Sequence, residues 1–266
     1  DAVIAILTDN HTHNFYTSLI DDNVGNPPAS SPAAWEFTST WTEDQAAVDP
    51  RLDWSVGRKG IPYWDWGIVT GVDWVRDASY GGVYSPKKQV YKKEQKNVWT
   101  EVGNWTSGWT SNGYRMIRYA DLLLLMAECH IYKTSPDFEE ARRLINLIRE
   151  RAARPEGFVK EADGTTNAAN YEISTYDAPF ANLAEAEYAL QMERKLELGQ
   201  EGHRFFDLVR WGDAETEINR ALNYEKTQPW GANRYGNATF EAVDVTYPIP
   251  QRQIDLAAGA LVQNRQ

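Results

Sequence analysis

With 266 residues, 42% hydrophobic and 24% charged, the chain has the composition of a globular protein and is long enough to bury a substantial core. A formal net charge of −11, with no Lys/Arg-rich run, argues against a nucleic-acid partner, because an acidic surface repels phosphate backbones. The longest apolar run, "LLLLMA" at 122–127, falls short of the roughly 18 residues that cross a bilayer, and the single cysteine excludes an intrachain disulfide.

The first part of the chain reads as short strands, turns and long loops. Ala2 to Leu7 form an apolar strand. His11 and His13 in "HTH" would share one face of an extended segment. No "HExxH" and no paired cysteines accompany them, so a metal site is not expected. "GNPPASSPAA" at 25–34 is a loop, since its prolines remove backbone donors and fix φ. Rings then crowd the sequence: Tyr63, Trp64, Trp66 and Trp74 in "GIPYWDWGIVTGVDW", then Tyr80 and Tyr84. A second run, "VWTEVGNWTSGWTSNGY" at 98–114, sets Trp99, Trp105 and Trp109 among Thr, Ser, Asn and Gly. Rings in polar company suit a carbohydrate, which offers C–H faces and hydroxyl edges, although tryptophans serve cores and interfaces equally well. Long loops in a compact protein usually bind something.

From Tyr114 the pattern becomes helical. Ile117, Ala120, Leu124, Ala127 and Ile131 mark one face of an amphipathic helix, on which Cys129 is expected to be a buried, inert thiol. After "KTSP", with Ser135 as N-cap and Pro136 at the first helical position, Phe138, Ala141, Ile145, Ile148 and Ala152 mark a second helix. The pair should form an antiparallel hairpin of tetratricopeptide type. Asn182 and Glu185 resemble a capping box opening a third helix to about Leu198, and a fourth is expected over 202–220. The chain thus divides into a loop-rich, ligand-facing segment (1–113), a four-helix segment (114–222) and a mixed tail (223–266).

"ERKLELGQEGHRFFDLVRWG" at 193–212 is densely charged. Carboxylates beside His203 could act as a general acid and base, as in a glycoside hydrolase using Glu197, Glu201 or Asp207. Arginines within helical reach favour an ion-pair network between helices instead, with His203 structural, because they hold carboxylates ionised. Neither a glycine-rich phosphate loop nor a G-x-S-x-G elbow occurs. No enzymatic activity and no cofactor are expected.

Taken in order, several segments resemble the SusD/RagB family of Bacteroidetes outer-membrane lipoproteins. They are "DPRLDWSVGRKGIPYWDWG" at 49–67, "YGGVYSPKKQVYKKE" at 80–94, "YRMIRYADLLLLMAECH" at 114–130, "ARRLINLIRERAA" at 141–153, the 193–212 segment and the C-terminal "YPIPQRQIDLAAGALVQNRQ". The resemblance implies a mainly α, SusD-like fold with tetratricopeptide-type hairpins, long irregular loops and a few short strands. It also implies a cell-surface protein that captures glycans or other nutrients and delivers them to a SusC-like TonB-dependent transporter. Members of that family are about twice this length, so the chain looks like a C-terminal portion whose lipid anchor lies in an N-terminal part. The resemblance places Trp54, Trp64 and Trp66 in shared framework. The expected ligand-binding residues are therefore Trp105, Trp109, Trp99, Trp74 and Tyr80. A helical protein–protein module whose tryptophans anchor a partner is the alternative reading.

Overall fold

The apolar segment Val3–Leu7 (β1) pairs with Thr12–Ser18 (β2), which pairs with Trp35–Thr42 (β3) in an antiparallel sheet of order β1-β2-β3. The computed structural model describes residues 3–7, 12–20, 23, 26–42, 45–71, 74–101 and 109–264. Phe15 of β2 is fully buried, and a register shift between Phe15 and Tyr16 brings the Tyr16 ring edge-on to Phe37 across the strands. The proline-rich loop joins β2 to β3 as expected, and the Trp35 indole N–H donates back to the Asn26 carbonyl.

Short elements follow. They are α1 (Leu52–Ser55), β4 (Val56–Gly57), α2 (Ala78–Gly81), β5 (Ser85–Pro86), β6 (Thr100–Glu101) and β7 (Trp109–Thr110). β4 pairs with β5 and β6 with β7, both antiparallel. Gly57 is needed where it stands, because a Cβ there would lie 2.7 Å from the Tyr63 ring.

Three longer helices build the main core: α3 (Tyr119–Tyr132), α4 (Phe138–Ala152) and α5 (Leu183–Glu197). Leu124, Ala127 and Ile131 of α3 meet Ala141, Leu144 and Ile145 of α4 and Ala186, Ala189 and Leu190 of α5 in one buried cluster. Alanines on α5 let the helices approach closely, while leucine and isoleucine fill the space between them. The expected α3–α4 hairpin is present, but α3 starts at Tyr119, so Ile117 lies before it and is exposed. Cys129 is exposed as well, contrary to expectation. Two residues past Ala127 it turns about 200° around the helix, away from the core stripe.

The caps show why these helices start where they do. Asp137, not Ser135, caps α4, its carboxylate accepting from Glu140 N–H at 3.0 Å. Asn182 caps α5 as expected, accepting from Glu185 N–H at 3.0 Å, while the Glu185 carboxylate reaches past the cap to Ala181 N–H at 2.8 Å. Asn182→Ala should therefore cost about 1 kcal/mol, read as a lower urea midpoint at unchanged slope.

The chain forms two compact units, Asp1–Arg204 and Phe205–Gln266. The helix expected over 202–220 is two helices, α6 (His203–Trp211) and α7 (Ala214–Lys226). Gly212, at φ +81°, ends α6 in a Schellman turn, in which Asp213 N–H donates to the Leu208 carbonyl at 2.9 Å and Gly212 N–H to Val209 at 3.2 Å. Within the second unit, α8 (Ala232–Tyr235) and α9 (Gln251–Leu256) follow. The Asn219 side chain of α7 holds both backbone groups of Phe240, at 2.7 and 2.9 Å.

Candidate functional site

The ring-rich stretch "YWDW" at 63–66 forms a tight turn that reaches over to residues 86–94 residue by residue. The Tyr63 hydroxyl donates to the Pro86 carbonyl, Trp64 Nε1–H to Lys87 at 3.1 Å and Trp66 Nε1–H to Tyr91 at 2.9 Å. The Asp65 carboxylate accepts from Lys93 and Glu94 N–H at 2.6 and 2.8 Å. These bonds hold Trp64 at φ +52°, a left-handed conformation costly for a bulky residue, and Gln89 nearby is also left-handed at φ +69°. Strain of this kind persists only where the surroundings over-determine it, and both residues line the same cleft.

The Trp54 and Trp64 rings stand together on one wall of that cleft, their centroids 5.3 Å apart. Trp54 Nε1–H donates to the Gly157 carbonyl at 2.8 Å, so each indole is fixed at its polar edge and presents its ring to the wall. Behind them lies Lys87, almost wholly buried, with Nζ 5.5 Å from each ring centroid and donating to the Asp53 and Pro62 carbonyls at 2.7 Å. Burial pulls its pKa down to about 8 against the opposing pull of Asp53.

The rest of the lining is largely ionic. Glu193 and Glu197 of α5, with Glu201 just beyond its end, take partners from elsewhere in the chain. Arg51 donates to Glu193 at 2.6 Å, to Glu197 at 3.1 Å and to Asp49 at 2.7 Å. Arg149 reaches Glu193 at 3.0 Å, and Arg151 reaches Glu197 at 2.6 Å. Arg118, just ahead of α3, bridges Glu197 and Glu201 at 2.9 and 2.7 Å, and Lys88 holds Glu201 at 2.7 Å. The ion-pair network is therefore wider than the helix-to-helix lock expected from the local spacing. Arg194, the arginine closest in sequence, pairs instead with Asp121 at 2.8 Å.

Burial would push the Glu197 and Glu201 carboxyls up, but Arg151 and Arg118 at Glu197, and Arg118 and Lys88 at Glu201, outweigh it and hold both below the ordinary carboxylate value. Carboxylates so held are poor proton donors at neutral pH. They also make stability acid-sensitive. The unfolded chain takes up protons first as the pH falls, so their contribution is complete above about pH 4.5 and is lost as the pH drops through the lower folded-state values. Helical signal followed against pH should fall below that point, and less steeply in Glu201→Gln.

The cleft holds about 980 Å³. Tyr114, Gln95 and Asn112 add hydrogen-bonding groups to its lining, with Gln95 and Asn112 joined amide to amide at 3.2 and 3.3 Å. A cleft lined by rings and by polar groups can hold a ligand with apolar faces and hydrogen-bonding edges.

The residues singled out from sequence do not converge here. Trp105 lies outside the described residues. Trp109 lies in β7 and Trp99 just ahead of β6; they are 65% and 61% exposed, outside the cleft lining, although Thr110 next to Trp109 is part of it. Trp74 packs against Tyr63 at 5.6 Å, and Tyr80 is 68% exposed on α2. Trp54 and Trp64, assigned to framework from sequence, are anchored as framework yet face the cleft; their distance from each other in sequence hid the pairing. His11 lies outside the described residues, among which no group of His, Cys, Asp or Glu could hold a metal ion.

Comparison with known proteins agrees with the helical architecture. The chain is 30% identical over 141 residues to SusD-like protein P25 of Formosa agariphila, covering 53% of this chain and 22% of that protein. A crystal structure of a SusD homolog from Bacteroides thetaiotaomicron superposes with a TM-score of 0.54 at 25% identity, over 82% of this chain and 41% of that one. Surface glycan-binding protein A from Bacteroides thetaiotaomicron matches at 27% identity and a TM-score of 0.38, over 60% of this chain and 26% of that one. The chain thus spans well under half the length of each. The model of the SusD family matches residues 12–266, and this chain belongs to that family.

Proposed function

We propose that this chain is the glycan-binding portion of a cell-surface nutrient-capture protein, which holds an oligosaccharide in the Trp54–Trp64 cleft. It then passes the ligand to a SusC-like TonB-dependent transporter at the outer membrane, where a lipid anchor keeps the protein. The observation that carries this reading is the cleft itself, lined by two fixed indoles and by charged and amide groups. Sugar C–H faces stack on the rings, and hydroxyls take the polar groups. Trp99 and Trp109, exposed on the hairpin beside Thr110, extend the surface along which a longer chain can lie. The carboxylates nearest the cleft serve the network and not hydrolysis.

Calorimetric titration with an oligosaccharide panel tests the proposal. Binding of at least one oligosaccharide, with no product release on incubation, is expected. Steady release of shorter sugars, abolished by Glu201→Gln, would replace the binding role with a hydrolytic one.

A second reading rests on a different surface. Met116, Ile117 and Tyr119 ahead of and at the start of α3, with Leu122, Leu125 and Met126 along it, are all exposed. An apolar strip of that kind suits a protein partner. Capture of a transporter that is lost in Leu122→Asp and indifferent to sugar would favour it.

A further inference from the structure

We propose that the cleft selects acidic oligosaccharides, those carrying carboxylate or sulfate groups, over neutral ones; the proposal rests on the cleft being the glycan site. The chain as a whole is acidic, at −11, yet the cleft is not. In the network, Arg51, Lys88, Arg118, Arg149 and Arg151 meet Asp49, Glu193, Glu197 and Glu201, which leaves one cation in surplus. Arg115, on the lining next to Tyr114, is exposed and makes no ion pair among the described residues. Lys92 meets Glu94 at 3.4 Å with both side chains more than half exposed, a pairing weak enough for a ligand anion to replace.

The ring wall adds to the same field. Lys87 lies behind Trp54 and Trp64 and meets carbonyl oxygens, while the Asp53 carboxylate is engaged by Arg58 at 2.7 Å and the Tyr171 hydroxyl at 2.6 Å. With a pKa of about 8, Lys87 is mostly charged at neutral pH. Positive charge along the lining of a concave site, with Lys87 behind its rings, focuses its potential into the cleft. A guanidinium such as that of Arg115 matches the paired oxygens of a carboxylate or sulfate ester, and the rings supply the apolar contact that an inorganic anion lacks.

The test is calorimetric titration of this chain with hexagalacturonate, a sulfated carrageenan hexasaccharide and maltohexaose, at about 50 mM and about 500 mM NaCl. At least one acidic probe should bind about tenfold more tightly than maltohexaose at low salt, and the advantage should shrink at high salt. The probe that binds tells a carboxylate source from a sulfate source. Arg115→Ala should weaken the acidic probe more than the neutral one. Maltohexaose binding as tightly as both acidic probes at low salt would overturn the charge selection and leave sugar binding standing. Inorganic sulfate displacing the acidic probe at equal concentration would also overturn it, by making the cleft a simple anion site. Absence of binding by all three sugars would remove the glycan reading along with it.

Discussion

Glu193→Ala should destabilise the first compact unit by about 3–5 kcal/mol, the cost typical of removing one partner from a buried ion pair. Glu193 is 0% exposed and meets Arg51 at 2.6 Å and Arg149 at 3.0 Å. Its loss leaves the Arg51 and Arg149 guanidinium groups without their shared buried counter-charge, with Arg51 still held by Glu197 and Asp49. The segment before α1, together with α4 and α5, should loosen together. The Glu217–Arg220 pair, one turn apart on α7 with Arg220 exposed, is the control: Arg220→Ala should change stability little. Urea midpoints at unchanged slope measure both. Equal effects of the two substitutions would show that the network does not hold the unit together.

The largest effect on binding should come from Trp54→Ala combined with Trp64→Ala. An aromatic contact contributes about 0.5–1.5 kcal/mol beyond its area, so removing both rings should weaken oligosaccharide affinity by roughly tenfold to a hundredfold. Alanine also removes the indole bonds to Gly157 and Lys87 and the ring contacts of the Lys87 ammonium, so some loss could come from a loosened turn. Phenylalanine separates the two contributions, since it keeps a ring and loses the N–H. Affinity retained in Trp54→Phe and Trp64→Phe but lost in the alanine variants assigns the effect to stacking. Unchanged affinity in the double alanine variant would move the ligand elsewhere.

The helical part was legible because its signals are local. Apolar spacing marks α3 and α4, and the Asn182–Glu185 capping pattern alone announces α5. The errors there are equally local: Gly212 divides the fourth helix, and Asp137 outcompetes Ser135 as a cap because its carboxylate reaches the Glu140 N–H. The proposed site is not legible in the sequence, since its parts meet from distant positions. Arg51 meets Glu193 across 142 residues and Trp54 meets Gly157 across 103, pairings that no periodicity encodes. Reading rings by their sequence neighbours favours Trp99 and Trp109, which are exposed beside the β6–β7 pair and outside the cleft lining. The dense turn at 63–66 looked like framework and is framework at its polar edges, while the faces of Trp54 and Trp64 remain available to a ligand.

The most direct measurement is a crystal structure of this chain soaked with an oligosaccharide that binds in solution. A sugar ring should stack on Trp54 or Trp64 inside the cleft, with its polar groups toward Arg115, Arg118 or Lys88. Sugar found only on the Trp99–Trp109 hairpin, with an empty cleft in crystals of a binding-competent chain, would contradict the assignment.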